Sequence, residues 1–237
     1  MIAPIDILQG WVEKAKDLLK ELKGLQGKDP TRRTIIAIGT FRYSEGATWT
    51  KYKDLFKTAI ARDYGADVVI AVTSTHIQEN ITNCKVLPPA IVTAVDGNFP
   101  SFAQIREFVT ESYPHSNAHI IVGVSVESSA LSYKHTEKIS HVKDIQLYKN
   151  CDEFTLTTLD VACGVEKTDS TSGYLAEQIA VGLQKASDRY FVLSETTESL
   201  SAKVDFIKSL PPWHRFAWLA YNVHMVDARL MCSGSDT

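Results

Sequence analysis

Several features that would assign this chain of 237 residues to a special class of protein are absent from its sequence. No apolar run approaches the roughly 20 residues that span a bilayer, and the N-terminus lacks the basic and apolar regions of a secretory signal. The 25 Lys and Arg against 28 Asp and Glu leave a net charge of −3, which supplies no general attraction for nucleic acid or anionic membranes. We therefore expect a cytoplasmic protein with no membrane contact and no nucleic-acid partner.

Cysteine patterns and short nucleotide motifs are also missing. Cys84, Cys151, Cys163 and Cys232 are scattered and form no CxxC pair, so neither a zinc site nor a disulfide framework is indicated. We expect reduced, mostly buried thiols. The patterns GxxxxGK[ST], GxGxxG and HExxH do not occur, so the sequence predicts no metal site and no standard phosphate-binding loop.

What is present is the composition of a globular protein, with 44% apolar and 22% charged residues. Residues 1–30 form an N-terminal segment in which residues 5–25 predict an amphipathic helix followed by a linker. The apolar residues of this helix recur every three or four positions: Leu8, Trp11, Ala15, Leu18, Leu22 and Leu25. Such a narrow stripe favours docking on the helix's own domain, and pairing with another chain is the alternative.

Residues 31–210 alternate between short apolar runs and amphipathic segments. The pattern predicts strands at 34–41, 67–74, 119–125 and 154–161, and helices at 49–64, 102–113 and 174–186. This order favours an α/β domain, a three-layer parallel sheet flanked by helices of the Rossmann-like type. Its ligand is expected beyond the carboxyl ends of the strands.

Residues 211–237 predict an aromatic helix and a tail. Pro211 and Pro212 precede an apolar pattern that includes Trp213, Phe216, Trp218 and Tyr221. This helix packs on its parent domain or forms an oligomer interface. Residues 5–25 and 212–230 are thus the two candidate surfaces for a protein partner or self-association.

Two turns of small residues are candidate anion sites. The first begins with Gly39, Thr40 and Phe41 at the end of the first strand and passes Ser44 before a helix that begins near Thr48. The second contains Ser170 and Ser172 and precedes the predicted helix 174–186. Free backbone N–H groups and the dipole at a helix N-terminus suit a phosphate, although capping alone explains the second turn equally well.

The order of these segments resembles the nucleotidyltransferases of the HIGH superfamily, which have a cytidylyltransferase-like fold, and in particular their bacteriophage branch. IAIGTF at Ile36–Phe41 is similar to the start of the family's first motif, and VIAVTST at residues 69–75 to its second strand. HIIVGVS, which contains Gly123 and Ser125, is similar to the third strand, and DSTSGYLAEQIAVG at Asp169–Gly182 to the last motif. The resemblance covers about residues 34–195.

The resemblance implies a nucleotide site formed by nine residues: Gly39, Thr40, Phe41, Ser44, Thr48, Gly123, Ser125, Ser170 and Ser172. Where the family has two catalytic histidines, this chain has none between Arg42 and Thr48, and Leu175 replaces the late arginine. Losing one such donor removes about 2.7 to 4 kcal/mol of transition-state stabilisation. The resemblance therefore implies a catalytically degenerate nucleotide-binding or structural protein, located in the host cytoplasm or the virion if it is viral, with no assignable catalytic residue.

Three alternatives stay open at the level of the sequence. The first is an active transferase of adenylyl or cytidylyl groups, with a nucleoside triphosphate and Mg²⁺ as cofactors. The second is an N-glycosidase similar to the nucleoside deoxyribosyltransferases, in which Glu177 is the nucleophile. The third is an α/β scaffold that binds no ligand.

Overall fold

The fold is described from a computed structural model that carries side chains. It describes residues 1–27, 29, 31–40, 47–61, 63–73, 84–93, 101–112, 120–139, 145, 147–159, 173–175, 181–185, 189–208 and 216–225. Within these ranges, no helix is both long enough and apolar enough to cross a membrane.

Helices and strands alternate in the first half of the chain, and strands dominate the second. The helices are α1 (Ile5–Gln26), α2 (Thr48–Ala59), α3 (Phe102–Ser112) and α4 (Thr197–Lys208), and a 3₁₀ turn spans Val223–Met225. The strands are β1 (Ile35–Ile38), β2 (Val68–Ala71), β3 (Ile121–Glu127), β4 (Ala130–Lys134), β5 (Glu153–Thr157), β6 (Gly173–Leu175), β7 (Val181–Lys185), β8 (Tyr190–Ser194) and β9 (Phe216–Tyr221).

The described strands form two sheets of different character. A four-stranded sheet has the order β1-β2-β3-β9, in which β1, β2 and β3 are parallel, with Ile35 opposite Val68 and Val68 opposite Ile121. A five-stranded sheet has the order β5-β4-β8-β7-β6, and all of its neighbours are antiparallel. The molecule is thus a mixed α/β protein with a parallel sheet and helices, as the sequence predicts at this level.

The chain divides into two compact units. The first consists of Met1–Thr73, Thr93–Ser125 and Leu210–Leu219, and the second of Ser74–Val92, Val126–Ser209 and Ala220–Thr237. In the first unit, buried tyrosines join neighbouring elements and satisfy backbone carbonyls. The Tyr52 hydroxyl donates to Ile38 O at 2.9 Å and the Tyr64 hydroxyl to Val12 O at 2.7 Å. Burial raises the pKa of Tyr64 to about 12.

The second unit has its own core around Tyr133 of β4. The Tyr133 ring lies 5.5 Å from the Phe191 ring and 5.1 Å from the Phe154 ring, and its hydroxyl donates to Leu87 O at 2.7 Å. Cys84 and Cys151 form a disulfide in this unit, with Cα atoms 5.0 Å apart. The expectation of reduced thiols is wrong for these two residues, because the fold brings together cysteines that are 67 positions apart in sequence. Cys163 and Cys232 lie outside the described residues.

The predicted N-terminal helix is confirmed over Ile5–Gln26. The predicted ranges also overlap the observed elements for α2, α3, β1, β2 and β3. Two predicted helices are wrong. The segment predicted as helix 174–186 contributes β6 and β7, and the segment predicted as helix 212–230 contains β9. The strand predicted at 154–161 exists as β5, but it belongs to the antiparallel sheet.

Candidate functional site

The carboxyl ends of parallel strands are the first place to look for a site, because parallel α/β folds build their active sites there. In the first unit, buried hydroxyl residues occupy this edge: Thr40 follows β1, Thr73 follows β2, and Ser125 lies in the last part of β3. The Thr73 N–H donates to Ser125 Oγ at 2.8 Å, and the Thr73 hydroxyl donates to Ser125 O at 2.5 Å. These bonds fasten β2 to β3 beyond their last ladder pair.

The two predicted glycines at this site are positioned by close packing. A Cβ on Gly39 would lie 2.7 Å from Val72 Cβ, and one on Gly123 would lie 2.3 Å from Ala217 O. The Gly39 N–H donates to Met1 O at 2.9 Å, and Gly39 O accepts from Ala3 N–H at 3.3 Å. The backbone of Gly39 is therefore engaged by the N-terminal residues, which lie parallel to β1 at this point.

The other predicted ligands are only partly brought together. Thr48 is the first residue of α2, which follows Ala47 as N-cap without a side-chain cap. Phe41, Ser44, Ser170, Ser172 and Glu177 lie outside the described residues. Whether the nine residues bind a nucleotide is untested, and they stay a prediction in that role.

A buried polar cluster that no sequence pattern predicted lies in the second unit. Glu127, the last residue of β3, is 1% exposed, and its Oε1 accepts three hydrogen bonds. The donors are Ser129 N at 3.0 Å, the Ser129 hydroxyl at 2.7 Å and Asn222 Nδ2 at 3.0 Å. Asn222 has the left-handed conformation, with φ of 53°, and follows β9 directly. Ser128 N–H donates to Tyr221 O at 3.0 Å, so the two strand ends are fastened together.

A second buried group in the same unit joins the end of β8 to α4. Lys203 is fully buried and forms an ion pair with Glu195, whose other oxygen accepts from the Ser199 hydroxyl at 2.7 Å. Thr196 and Ser199 cap the helix reciprocally: Thr196 N–H donates to Ser199 Oγ at 2.8 Å, and Ser199 N–H donates to Thr196 Oγ1 at 3.1 Å.

The electrostatics of this group are dominated by burial. Burial raises the pKa of Glu195, and the nearby Glu127 carboxylate raises it further, whereas Lys203 and Ser199 oppose both effects. Burial likewise lowers the pKa of Lys203, against the attraction of Glu195. Burial and the Glu127 charge together raise the pKa of Tyr221. Two carboxylates and one cation thus share a poorly solvated region.

The chemistry that these buried groups can perform is limited by how well a ligand can reach them. Glu127 Oε1 and both carboxylate oxygens of Glu195 are bound by donors of the chain itself, so both residues position strand and helix ends in this structure. Among the residues that the structure describes, no three His, Cys, Asp or Glu side chains lie close enough to hold a metal ion. For the group around Glu195 and Lys203, the sequence does contain a local signal. Thr196 and Ser199 have capping-box spacing just before an amphipathic run.

An exposed aromatic residue gives the first unit a second kind of binding surface. Trp218 of β9 is 37% exposed, and its ring lies 5.8 Å from the Phe102 ring and 5.5 Å from the Phe216 ring. Both neighbours meet it edge to face, at interplanar angles of 63° and 70°. The indole is therefore held in place while part of it stays accessible.

No protein-family model matches the sequence, and no curated protein matches it either. Solved structures do match, at low sequence identity. A chitinase-like agglutinin from Robinia pseudoacacia has a TM-score of 0.63 at 12% identity over 95% of this chain and 60% of its own. A class V chitinase from Nicotiana tobaccum, solved in complex with NAG4, has a TM-score of 0.63 at 11% identity over 97% of this chain and 63% of its own.

A glycoside hydrolase family 18 N-acetylglucosaminidase from Paenibacillus barengoltzii is also similar, with a TM-score of 0.59 at 12% identity over 93% of this chain. The chain spans about 60% of the length of these structures. At such identities the likeness shows the fold alone.

These matches overturn the nucleotidyltransferase resemblance. The neighbours are barrel-type chitinase-like proteins, so the Rossmann-like three-layer architecture is wrong, as are the degenerate or active nucleotidyltransferase functions derived from it. The resemblance rested on the order of strands and helices, and a barrel shares βα repeats with a doubly wound sheet. The resemblance also fails locally, because the predicted last motif at Asp169–Gly182 supplies β6 and the start of β7 where the family has a helix.

Proposed function

We propose that this protein binds oligosaccharides of β-linked N-acetylglucosamine. The observation that carries the proposal is the match of 95% of the chain to a chitinase-like agglutinin at a TM-score of 0.63. Other neighbours are chitinases, solved in complex with NAG4 and (GlcNAc)3. Fold alone does not fix function, so the proposal also needs a surface on this chain that suits a sugar.

Trp218 is the residue best suited to contact such a ligand. A sugar ring presents faces of C–H groups, and a partly exposed indole offers a flat apolar surface with an N–H at its edge. Phe102 and Phe216 both pack against the ring, so little conformational entropy is lost when a ligand stacks on its exposed part. Rigid aromatic residues of this kind dominate binding energies at many recognition surfaces.

Binding without hydrolysis is the version of this function that the described residues favour. Glycoside hydrolysis needs a carboxylic acid within reach of the scissile bond. In the described residues that end β1, β2 and β3, the side chains are apolar or hydroxyl-bearing apart from Glu127. Glu127 is buried and accepts three hydrogen bonds from the chain, so it has no open path to a glycosidic oxygen.

Calorimetric titration with the tetramer of N-acetylglucosamine tests the proposal, with cellotetraose as the matched ligand that lacks N-acetyl groups. We expect saturable binding of the first sugar only. Trp218→Ala should weaken it at least about tenfold, the loss of roughly 1.4 kcal/mol expected for one aromatic contact. Tyr190→Ala is the control, because Tyr190 is an aromatic residue of similar exposure, 38%, on another sheet.

Equal or absent binding of both sugars would refute the proposal. A parallel assay for released reducing ends separates binding from hydrolysis. Release that disappears in Glu127→Gln would assign a hydrolase activity to the buried carboxylate and would replace the binding function proposed here.

A further inference from the structure

Helix α1 has two apolar faces, and only one of them is covered by its own unit. Leu8, Val12 and Leu19 are buried against the first unit. A second stripe, consisting of Ile7, Trp11, Leu18, Leu22 and Leu25, is between 43% and 79% exposed. Packing on its own domain was one of the two alternatives for this helix. It accounts for only part of the helix's apolar surface.

The exposed stripe continues onto the neighbouring strand. A groove of about 350 Å³ lies beside the C-terminal half of the helix and is lined by Leu19, Leu22, Leu25 and Ile35, with Arg32 and Arg33 among its polar residues. Ile35, the first residue of β1, is 58% exposed. Monomeric soluble proteins rarely leave contiguous apolar surfaces of this kind uncovered, and such surfaces mark interaction sites.

We propose that the exposed stripe of α1 binds the same stripe of a second copy of this chain, with the two helices antiparallel. The helix has 22 residues, about 33 Å at 1.5 Å per residue, which is long enough for a helix-pair interface. In the antiparallel register centred near Lys16, Ile7 lies opposite Leu25 of the other copy, and Trp11 lies opposite Leu22. Each large apolar residue of one stripe thus faces a large apolar residue of the other across a two-fold axis.

Charge supports the second copy as the occupant. Lys14, Asp17 and Glu21 are exposed beside the stripe, all on one flank of the helix. In an antiparallel pair, equivalent flanks face each other, so Lys14 of each copy lies beside Asp17 of the other, within reach of Glu21. By contrast, Lys16 and Lys23 on another side of the helix form ion pairs within the chain, to Asp63 at 2.5 Å and Asp67 at 2.8 Å.

Sedimentation equilibrium of the full chain over a wide concentration range tests the proposal. We expect a monomer–dimer equilibrium in which Leu18→Glu weakens dimerisation at least about tenfold. Gln9→Glu adds the same charge at an exposed position on the opposite side of α1 and should leave the equilibrium unchanged. Circular dichroism should show all variants folded, since the changed side chains are exposed.

Charge reversal tests the register. Lys14→Glu should weaken dimerisation, and the double variant Lys14→Glu with Asp17→Lys should restore it, because the two charges exchange places across the axis. A dimer that Leu18→Glu leaves intact, or a double variant as weak as Lys14→Glu, would overturn the proposal. A wild-type chain that stays monomeric would also overturn it, and would favour a βα segment of a larger barrel as the occupant of this face. The inference is independent of the carbohydrate ligand, since sedimentation needs no sugar.

Discussion

At the scale of single residues, the buried pair of Glu195 and Lys203 is the most consequential contact in the second unit. Neither charge has much access to water, so the two compensate each other, and the Ser199 hydroxyl donates a further hydrogen bond to Glu195. Pairing compensates for the desolvation of both ions only while both are present. The pair connects the end of β8 to the middle of α4 and so fixes the position of the helix on its sheet.

Removing one member of this pair should therefore be costly. Lys203→Met leaves the Glu195 carboxylate buried without a cation, and we expect a loss of about 3 to 5 kcal/mol in the free energy of unfolding. The double variant Lys203→Met with Glu195→Gln should recover most of that loss. Urea denaturation measures both, with Lys208→Met, an exposed lysine of the same helix, as the control. Equal stability of the Lys203→Met and Lys208→Met variants would contradict this account.

Glycine positions offer a second test at the residue scale. Gly123→Ala places a Cβ against the backbone oxygen of Ala217, which cannot move without shifting β9, and should cost roughly 1 to 3 kcal/mol. Gly24→Ala meets open space on an exposed helix position and should stabilise the chain by about 0.5 to 1 kcal/mol. Thermal unfolding of the two variants should shift in opposite directions. A Gly123→Ala protein as stable as the wild type would show that β3 and β9 do not pack this closely.

At the scale of elements, sequence patterns identified the helices with long amphipathic repeats and the first three parallel strands. They failed in the later part of the chain. Phe216–Tyr221 is a six-residue apolar run that satisfies both the helical and the strand period, so periodicity could not decide between them. Helix α4, with buried Lys203, was missed because a buried lysine interrupts the apolar pattern that identifies a core-facing helix.

The candidate site was harder to predict from the sequence than the elements, because its side chains meet through contacts between residues that are far apart in the chain. Glu127 and Asn222 are 95 residues apart, and nothing local to either of them indicates that they meet. The hydroxyl residues Thr40 and Ser125 were predicted at the carboxyl edge of the sheet because strand order alone places them there. Thr73 belongs to the same edge, but its bonds to Ser125 follow only from the parallel pairing of β2 and β3.

The disulfide is the element-scale feature whose loss is simplest to measure. It closes a loop of 67 residues between Cys84 and the start of β5, and the chain-entropy model predicts a stabilisation of about 4 kcal/mol. We expect the double variant Cys84→Ala with Cys151→Ala to unfold at lower urea than the wild type, by an amount that reductant reproduces. Reductant should leave the double variant unchanged. An identical midpoint for wild type with and without reductant would contradict the bond's role.

At the scale of the whole molecule, a sheet with three parallel strands and an antiparallel sheet occur in one chain. The described sheet β1-β2-β3-β9 has four strands, whereas a complete barrel of this class has eight, and the chain spans about 60% of its neighbours' length.

The predicted cytoplasmic location is untested. The disulfide argues against it, because such bonds persist mainly in oxidising compartments.

The pairing of β4 with β8 has a consequence for how the chain acquires its structure during synthesis. Leu131 pairs with Leu193, so β4 emerges from the ribosome about 60 residues before its partner strand exists. Both Cys84 and Cys151 emerge before β8 does. An oxidising enzyme that acts on the nascent chain can thus join them first and hold the start of β5 near Cys84. The slow pairing of β4 with the distant β8 then begins from a chain in which the disulfide has already closed a loop.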